Sequence, residues 1–196
     1  MSDWKAPTRA QVTAADKMVD AIVRLLRNER GVHAETAIAA AARLGGTFLF
    51  RSFRFPPKDI QPGAPVFSDL ANEQGPALVQ TFAYGLAAEG LDPQALQTAT
   101  LEVPERNQPL LGVVATQEKL EAELRAIAAA QRLAEPEAAH ACALAAARLV
   151  KMTVQVLDPR VAFAVAAYGF VEGSKTMPAP LAAAASVAKK PWYRFR

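Results

Sequence analysis

Apolar residues recur along this chain in blocks of helical length, and the blocks differ in how far they lack a polar face. From Thr8 to Arg30, Val12, Ala15, Val19, Ile22 and Leu26 fall at helical spacing, with Asp16, Asp20, Arg24 and Arg27 opposite. That pattern predicts an amphipathic helix ended by Gly31. The next block has no such division, because Arg43 is the only charged residue between Thr36 and Phe50. A helix without a polar face is buried on most sides. This stretch is therefore the expected central helix, folded back as a hairpin on the first.

Residues 76–88 and 161–171 also carry no charge and are expected to be buried. Gly75-Pro76 predicts the start of the former, with proline at the tolerated first position. Asp92-Pro93 and Asp158-Pro159 read as a cap plus first-turn proline, opening a short helix to about Thr100 and the later buried helix. Thr116–Leu133 reads as amphipathic, with Leu120, Leu124, Ile127 and Ala128 on one face and a Glu121–Arg125 pair on the other. Pro136 restarts a helix to Leu157. Pro-rich loops are expected over 54–65 and 102–108. The run Leu110–Ala115 leaves a short strand as a minor alternative. Ala83-Tyr84-Gly85 and Ala167-Tyr168-Gly169 look like two similar helix ends.

Composition strengthens the helical reading, since 43 residues are alanine, the best helix former and a poor strand former. The expected fold is all-α, an orthogonal or bundle-like packing of about six to seven helices with long Pro-rich loops. Residues 1–178 form one helical domain in this reading, and 179–196 a Pro/Ala then basic-aromatic tail. Three helices apolar all round exceed what a bundle of this size normally buries, so a homodimer is expected to cover the surplus.

A net charge of +3 without clustering disfavours nucleic acid. The single cysteine, Cys142, excludes an internal disulfide and any multi-cysteine metal site. It sits among alanines as a buried structural thiol. No secretion signal is visible in Met-Ser-Asp-Trp-Lys, and the longest apolar run is too short to span a bilayer. The expectation is a cytoplasmic chain with no membrane contact.

Motifs with chemical potential are few. Val32-His-Ala-Glu-Thr-Ala-Ile38 resembles the His-x-Glu segment of the zinc-dependent nucleoside and base deaminases, where His holds zinc and Glu moves protons. The Pro-Cys-x-x-Cys half of that family is absent, and one cysteine cannot supply two thiolates, so the resemblance is set aside. Glu137-Ala-Ala-His140 has one-face helical spacing, but a di-metal carboxylate bundle needs a second copy. Gly169-Phe-Val-Glu-Gly-Ser-Lys-Thr176 approaches a phosphate loop, yet it follows a helix and Pro178 blocks the next one. No metal or cofactor is expected.

Two basic-aromatic stretches remain, Phe50–Lys58 and Lys189–Arg196. In the second, Trp192, Tyr193, Arg194 and Phe195 are the expected partner contacts. The overall reading is a self-associating binding module without catalysis of its own. Its alternative is a helical enzyme or small-ligand protein with a pocket at the start of the central helix. There His33 and Glu35 would be the acid–base pair, and Arg51 or Arg54 would receive an anion.

Overall fold

The computed structural model describes residues 4–54, 60–97 and 102–181. Among them the chain is all-α, with bundle-like packing and only isolated β-bridges. Thr8 opens α1 (Arg9–Leu26) with a reciprocal cap. Its hydroxyl accepts the Gln11 N–H at 3.3 Å while its own N–H donates to Gln11 Oε1 at 2.7 Å. α1 stops at Leu26, short of the expected Arg30, because Arg27 turns extended. Gly31 therefore ends no helix but sits in a separate turn with Asn28, at φ 101°, a left-handed conformation suited to glycine. His33 caps α2 (Ala34–Ser52).

Ser68 caps α3 (Asp69–Ala88), so that helix begins well before Gly75-Pro76, and Pro76 lies inside it. The missing proline N–H leaves the Asn72 carbonyl to water, which reaches it because Asn72 is exposed. Gly75 has no Cβ to collide with the proline ring. Asp92 caps the short α4 (Pro93–Leu96) as its dipeptide predicts. The Leu110–Ala115 run makes no strand, and its second half enters α5 (Val113–Thr116). A π turn over Gln117–Glu121 joins α5 to α6 (Ala122–Ala130). Two long helices complete the chain, α7 (Glu135–Thr153) and α8 (Pro159–Ser174).

α2 is the centre. Every residue from Glu35 to Phe50 is buried, with α8 and α7 as its main neighbours. The second core helix is α7, where only His140 and Arg148 interrupt a buried run from Ala138 to Val150. The charge-free run 76–88 predicts that place for α3, but α3 buries one face only: Asn72, Gln74, Gln80 and Tyr84 are exposed. Absence of charge does not make a face apolar, and alanine gives too weak a periodicity to mark α7 as core. α1 lies against α7 more than against α2, so the expected hairpin is a minor contact.

Small residues let these helices touch backbone to backbone. A Cβ on Gly46 would lie 2.5 Å from Phe170 O and Ser174 N, and one on Gly169 would lie 2.9 Å from Ala42 Cβ. Gly173 fits still more tightly against the Arg43 backbone. The glycines of the phosphate-loop look-alike are thus the seam by which α8 meets α2. Gly85 plays the same part between α3 and α7, where an added Cβ would lie 2.7 Å from Ala147 Cβ. The two Ala-Tyr-Gly segments therefore share a physical cause: glycine inside at a close crossing, tyrosine outside.

One stripe of α2 is polar after all. Glu35 Oε1 accepts from Asn107 at 2.7 Å, and Thr36 Oγ1 accepts the Leu110 N–H at 2.9 Å. Further along, the Arg43 guanidinium donates to Leu111 O, and Thr47 Oγ1 accepts from Gln117 Nε2 at 3.0 Å. Finally Arg51 grips both oxygens of Glu121, at 2.5 and 2.9 Å. Both partners ascend together, so the segment 107–121 runs parallel to α2, held by polar groups in order. Glu121 is only 4% exposed, so its pairing with Arg125 at 3.7 Å occurs beside Arg51 and not on an open face as expected.

Candidate functional site

The start of α2 brings His33 and Glu35 together, with His33 Nδ1 3.4 Å from Glu35 Oε2. That nitrogen already serves the helix. It accepts the Thr36 N–H at 3.3 Å and lies 2.9 Å from Thr36 Oγ1, while the same hydroxyl accepts from Leu110 N–H. An Nδ1 used as a cap acceptor carries no proton to share with Glu35. Arg51 stands 16 residues further along α2, about 24 Å at the helical rise. It is bound to Glu121 and to Ala179 O at 2.8 Å. Arg54 lies beyond it, past the helix end, at φ 49°. The four residues do not share a pocket. Trp192, Tyr193, Arg194 and Phe195 fall outside the described residues.

A different histidine does line one. The N-terminal arm crosses α3 and the start of α7, enclosing a cleft of about 330 Å³ bordered by Trp4, Pro7, Ala77, Thr81, Pro136 and His140, with Lys5 and Glu137 at its exposed rim. Each element contributes for a local reason. Pro136 sits in the first turn of α7, where its missing N–H costs nothing. Glu137 Oε2 accepts the Ala134 N–H at 2.8 Å and steadies that helix start. His140 then falls almost one turn on, beside Glu137 on one helical face. Gln11 of α1 donates to Glu137 O at 3.4 Å and closes the floor.

Thr81 is the hub. Fully buried, its Oγ1 lies 2.9 Å from Trp4 Nε1, 3.0 Å from Ala77 O and 2.7 Å from His140 Nδ1. Trp4 stacks at a tilt on Tyr84, 5.7 Å between ring centroids, which fixes the arm over the cleft. Burial holds the His140 ring below the ordinary histidine range, so it is a neutral imidazole near pH 7. Its Nε2 has no hydrogen-bond partner among the described residues.

No motif marks this cleft. Glu137 and His140 do share a face, but Glu137 is engaged with backbone, and no cluster of metal-binding side chains occurs among the described residues. The usable signal was Trp4, a large aromatic in an otherwise polar and small-residue arm, which needs an apolar seat and an acceptor. Cys142 is buried as expected, and burial together with the nearby Glu121 charge pushes its thiol well above the usual range. It is no nucleophile.

A second cleft, about 410 Å³, lies between α3 and the end of α8, lined by Pro76, Leu78, Val79, Phe170, Val171 and Lys175. Val66 N–H donates to Lys175 O at 2.7 Å, and the following residue, Phe67, is 82% exposed. No helix among the described residues is long and apolar enough to cross a membrane. Compared with protein-family models, curated proteins and solved structures, the chain matches none, and its reading rests on the geometry above.

Proposed function

We propose that this chain is a binding protein that takes a small ligand in the cleft beneath Trp4. One observation carries the reading: a half-buried imidazole lines a partly enclosed apolar cleft, and its Nε2 has no hydrogen-bond partner among the described residues. Clefts of about 300–1,000 Å³ with apolar walls and a few convergent polar groups are the usual form of small-molecule sites. Catalysis is not part of the proposal, because the Glu137 carboxylate beside His140 is engaged with the Ala134 N–H, and the described residues place no activated nucleophile in the cleft. The test is a screen of small ring compounds by ligand-observed NMR, followed by Trp4 emission in a Trp192→Phe background. Binders are expected to change Trp4 emission and to lose affinity in His140→Ala. A screen whose binders all ignore Trp4 and His140 would sink the proposal.

Self-association is a second reading, favoured by the α3–α8 cleft, in whose lining Val171 is exposed. Apolar surface of that kind on one face is characteristic of protein contacts. Light scattering is expected to show a dimer that Val171→Asp converts to monomer; a wild-type monomer at high concentration removes this reading.

A further inference from the structure

Hydrogen-bond accounting around Thr81 goes one step further and, resting on the reading of the cleft just given, names the class of ligand. A threonine hydroxyl has one proton and two lone pairs. Trp4 Nε1 can only donate and Ala77 O can only accept, while His140 Nδ1 can do either. If the hydroxyl proton went to Nδ1, the 3.0 Å contact with Ala77 O would not be a hydrogen bond. If it goes to Ala77 O, the usual back-bond of a helical threonine, all three contacts are satisfied. Thr81 then accepts from Trp4 and from His140 Nδ1–H, and donates to Ala77. That assignment uses all three contacts of the buried hydroxyl, where the other uses two.

We infer that His140 is held as the Nδ1–H tautomer, so that its Nε2 is a bare acceptor and the cleft selects an uncharged, compact ring bearing a hydroxyl or N–H donor. The walls fit such a body, since Trp4, Pro7 and Pro136 are themselves flat or rigid rings. Charge does not favour an ion, because Lys5 and Glu137 stand at the rim with opposite sign.

Three matched probes test this: phenol, toluene and benzoate, which share a ring and differ in donor and charge. Two-bond ¹H–¹⁵N spectra of the Trp192→Phe protein at neutral pH should show His140 with a protonated Nδ1 and an unprotonated Nε2. Phenol should shift that Nε2 resonance saturably and change Trp4 emission. Toluene and benzoate should bind about five- to tenfold more weakly, the value of one neutral hydrogen bond. Thr81→Val should abolish the tautomer preference, whereas Thr81→Ser should keep it. The Nε2–H tautomer, or toluene or benzoate binding as tightly as phenol, overturns the donor rule and leaves the cleft standing, because Trp4 still reports occupancy. Silence of Trp4 and of both His140 nitrogens towards all three compounds overturns the cleft reading and the donor rule with it.

Discussion

Gly46 is the sharpest test of how the core is built. An alanine there would place its methyl 2.5 Å from Phe170 O and Ser174 N and 2.8 Å from Gly173 C, all of them backbone atoms that cannot rotate away. Ordinary contact begins near 3.4 Å, so α8 must retreat by about 0.9 Å, the difference between 3.4 and 2.5 Å. A gap of that size forfeits a quarter to a half of the dispersion well for each contact it opens. Among the described residues the α2–α8 seam is the most extensive helix contact. Overpacking of this kind costs about 1–3 kcal/mol or more, and with rigid backbone as the obstacle the upper end applies. The better helix propensity of alanine returns about 1 kcal/mol. The net loss is about 2 kcal/mol, a fall in Tm of about 4–8 °C for a chain of this length.

The adjacent Gly45 supplies the control. Its added methyl would meet the Phe170 ring, Ala139 O and Cys142 Cβ at 3.2–3.3 Å, a contact that small adjustments relieve. Gly45→Ala should therefore melt near wild type. Thermal unfolding followed by circular dichroism reads both variants. A Gly46→Ala protein as stable as Gly45→Ala would refute the backbone-contact account of α2 and α8.

Further outcomes follow from the same geometry. Arg51→Leu leaves the buried Glu121 carboxylate with only the more distant Arg125, and should cost about 3–5 kcal/mol in urea unfolding. Replacing both Arg51 and Glu121 by leucine should recover most of that loss, and a double variant no better than Arg51→Leu alone would contradict the pairing. His140 titrates lower in the folded than in the unfolded chain, so the unfolded state takes up the proton first. Stability is then full above about pH 6.5 and is lost as pH falls through the folded-state value. Urea midpoints at about pH 7.5 and pH 5 should converge in His140→Gln relative to wild type. Cys142 should resist a thiol reagent until the chain unfolds, with labelling at the free-thiol rate in the native protein as the contrary result.

Much of the fold was legible because it is local. The caps at Asp92 and Asp158 and the charge-poor run of α2 are set by residues within a turn of one another. What escaped is what depends on partners far along the chain. Gln117 and Glu121 look like a wet helical face, and are buried because Thr47 and Arg51 arrive from 70 residues away. The exchange of α3 for α7 in the core has a different origin. Alanine fits any environment, so an alanine-rich helix carries little information about which neighbours it will have. The His140 cleft depends on Trp4 reaching Thr81 across 77 residues, a meeting that no spacing rule anticipates.

The parallel row of polar pairs along α2 has a consequence for uniqueness. Helices faced with alanine are smooth, and one can slide past another by a turn with little change in buried area. The pairs act as the wards of a key. A slip of four residues would set Arg51 against Gln117, leave Glu121 unmatched, and strand Arg43 away from both Leu111 O and Glu172. Only one alignment satisfies the whole row, so a core with few distinctive shapes still settles into a single arrangement. Neutralising the row would then blur the structure before it weakened it, visible as broadened methyl resonances in a chain that keeps its helical content.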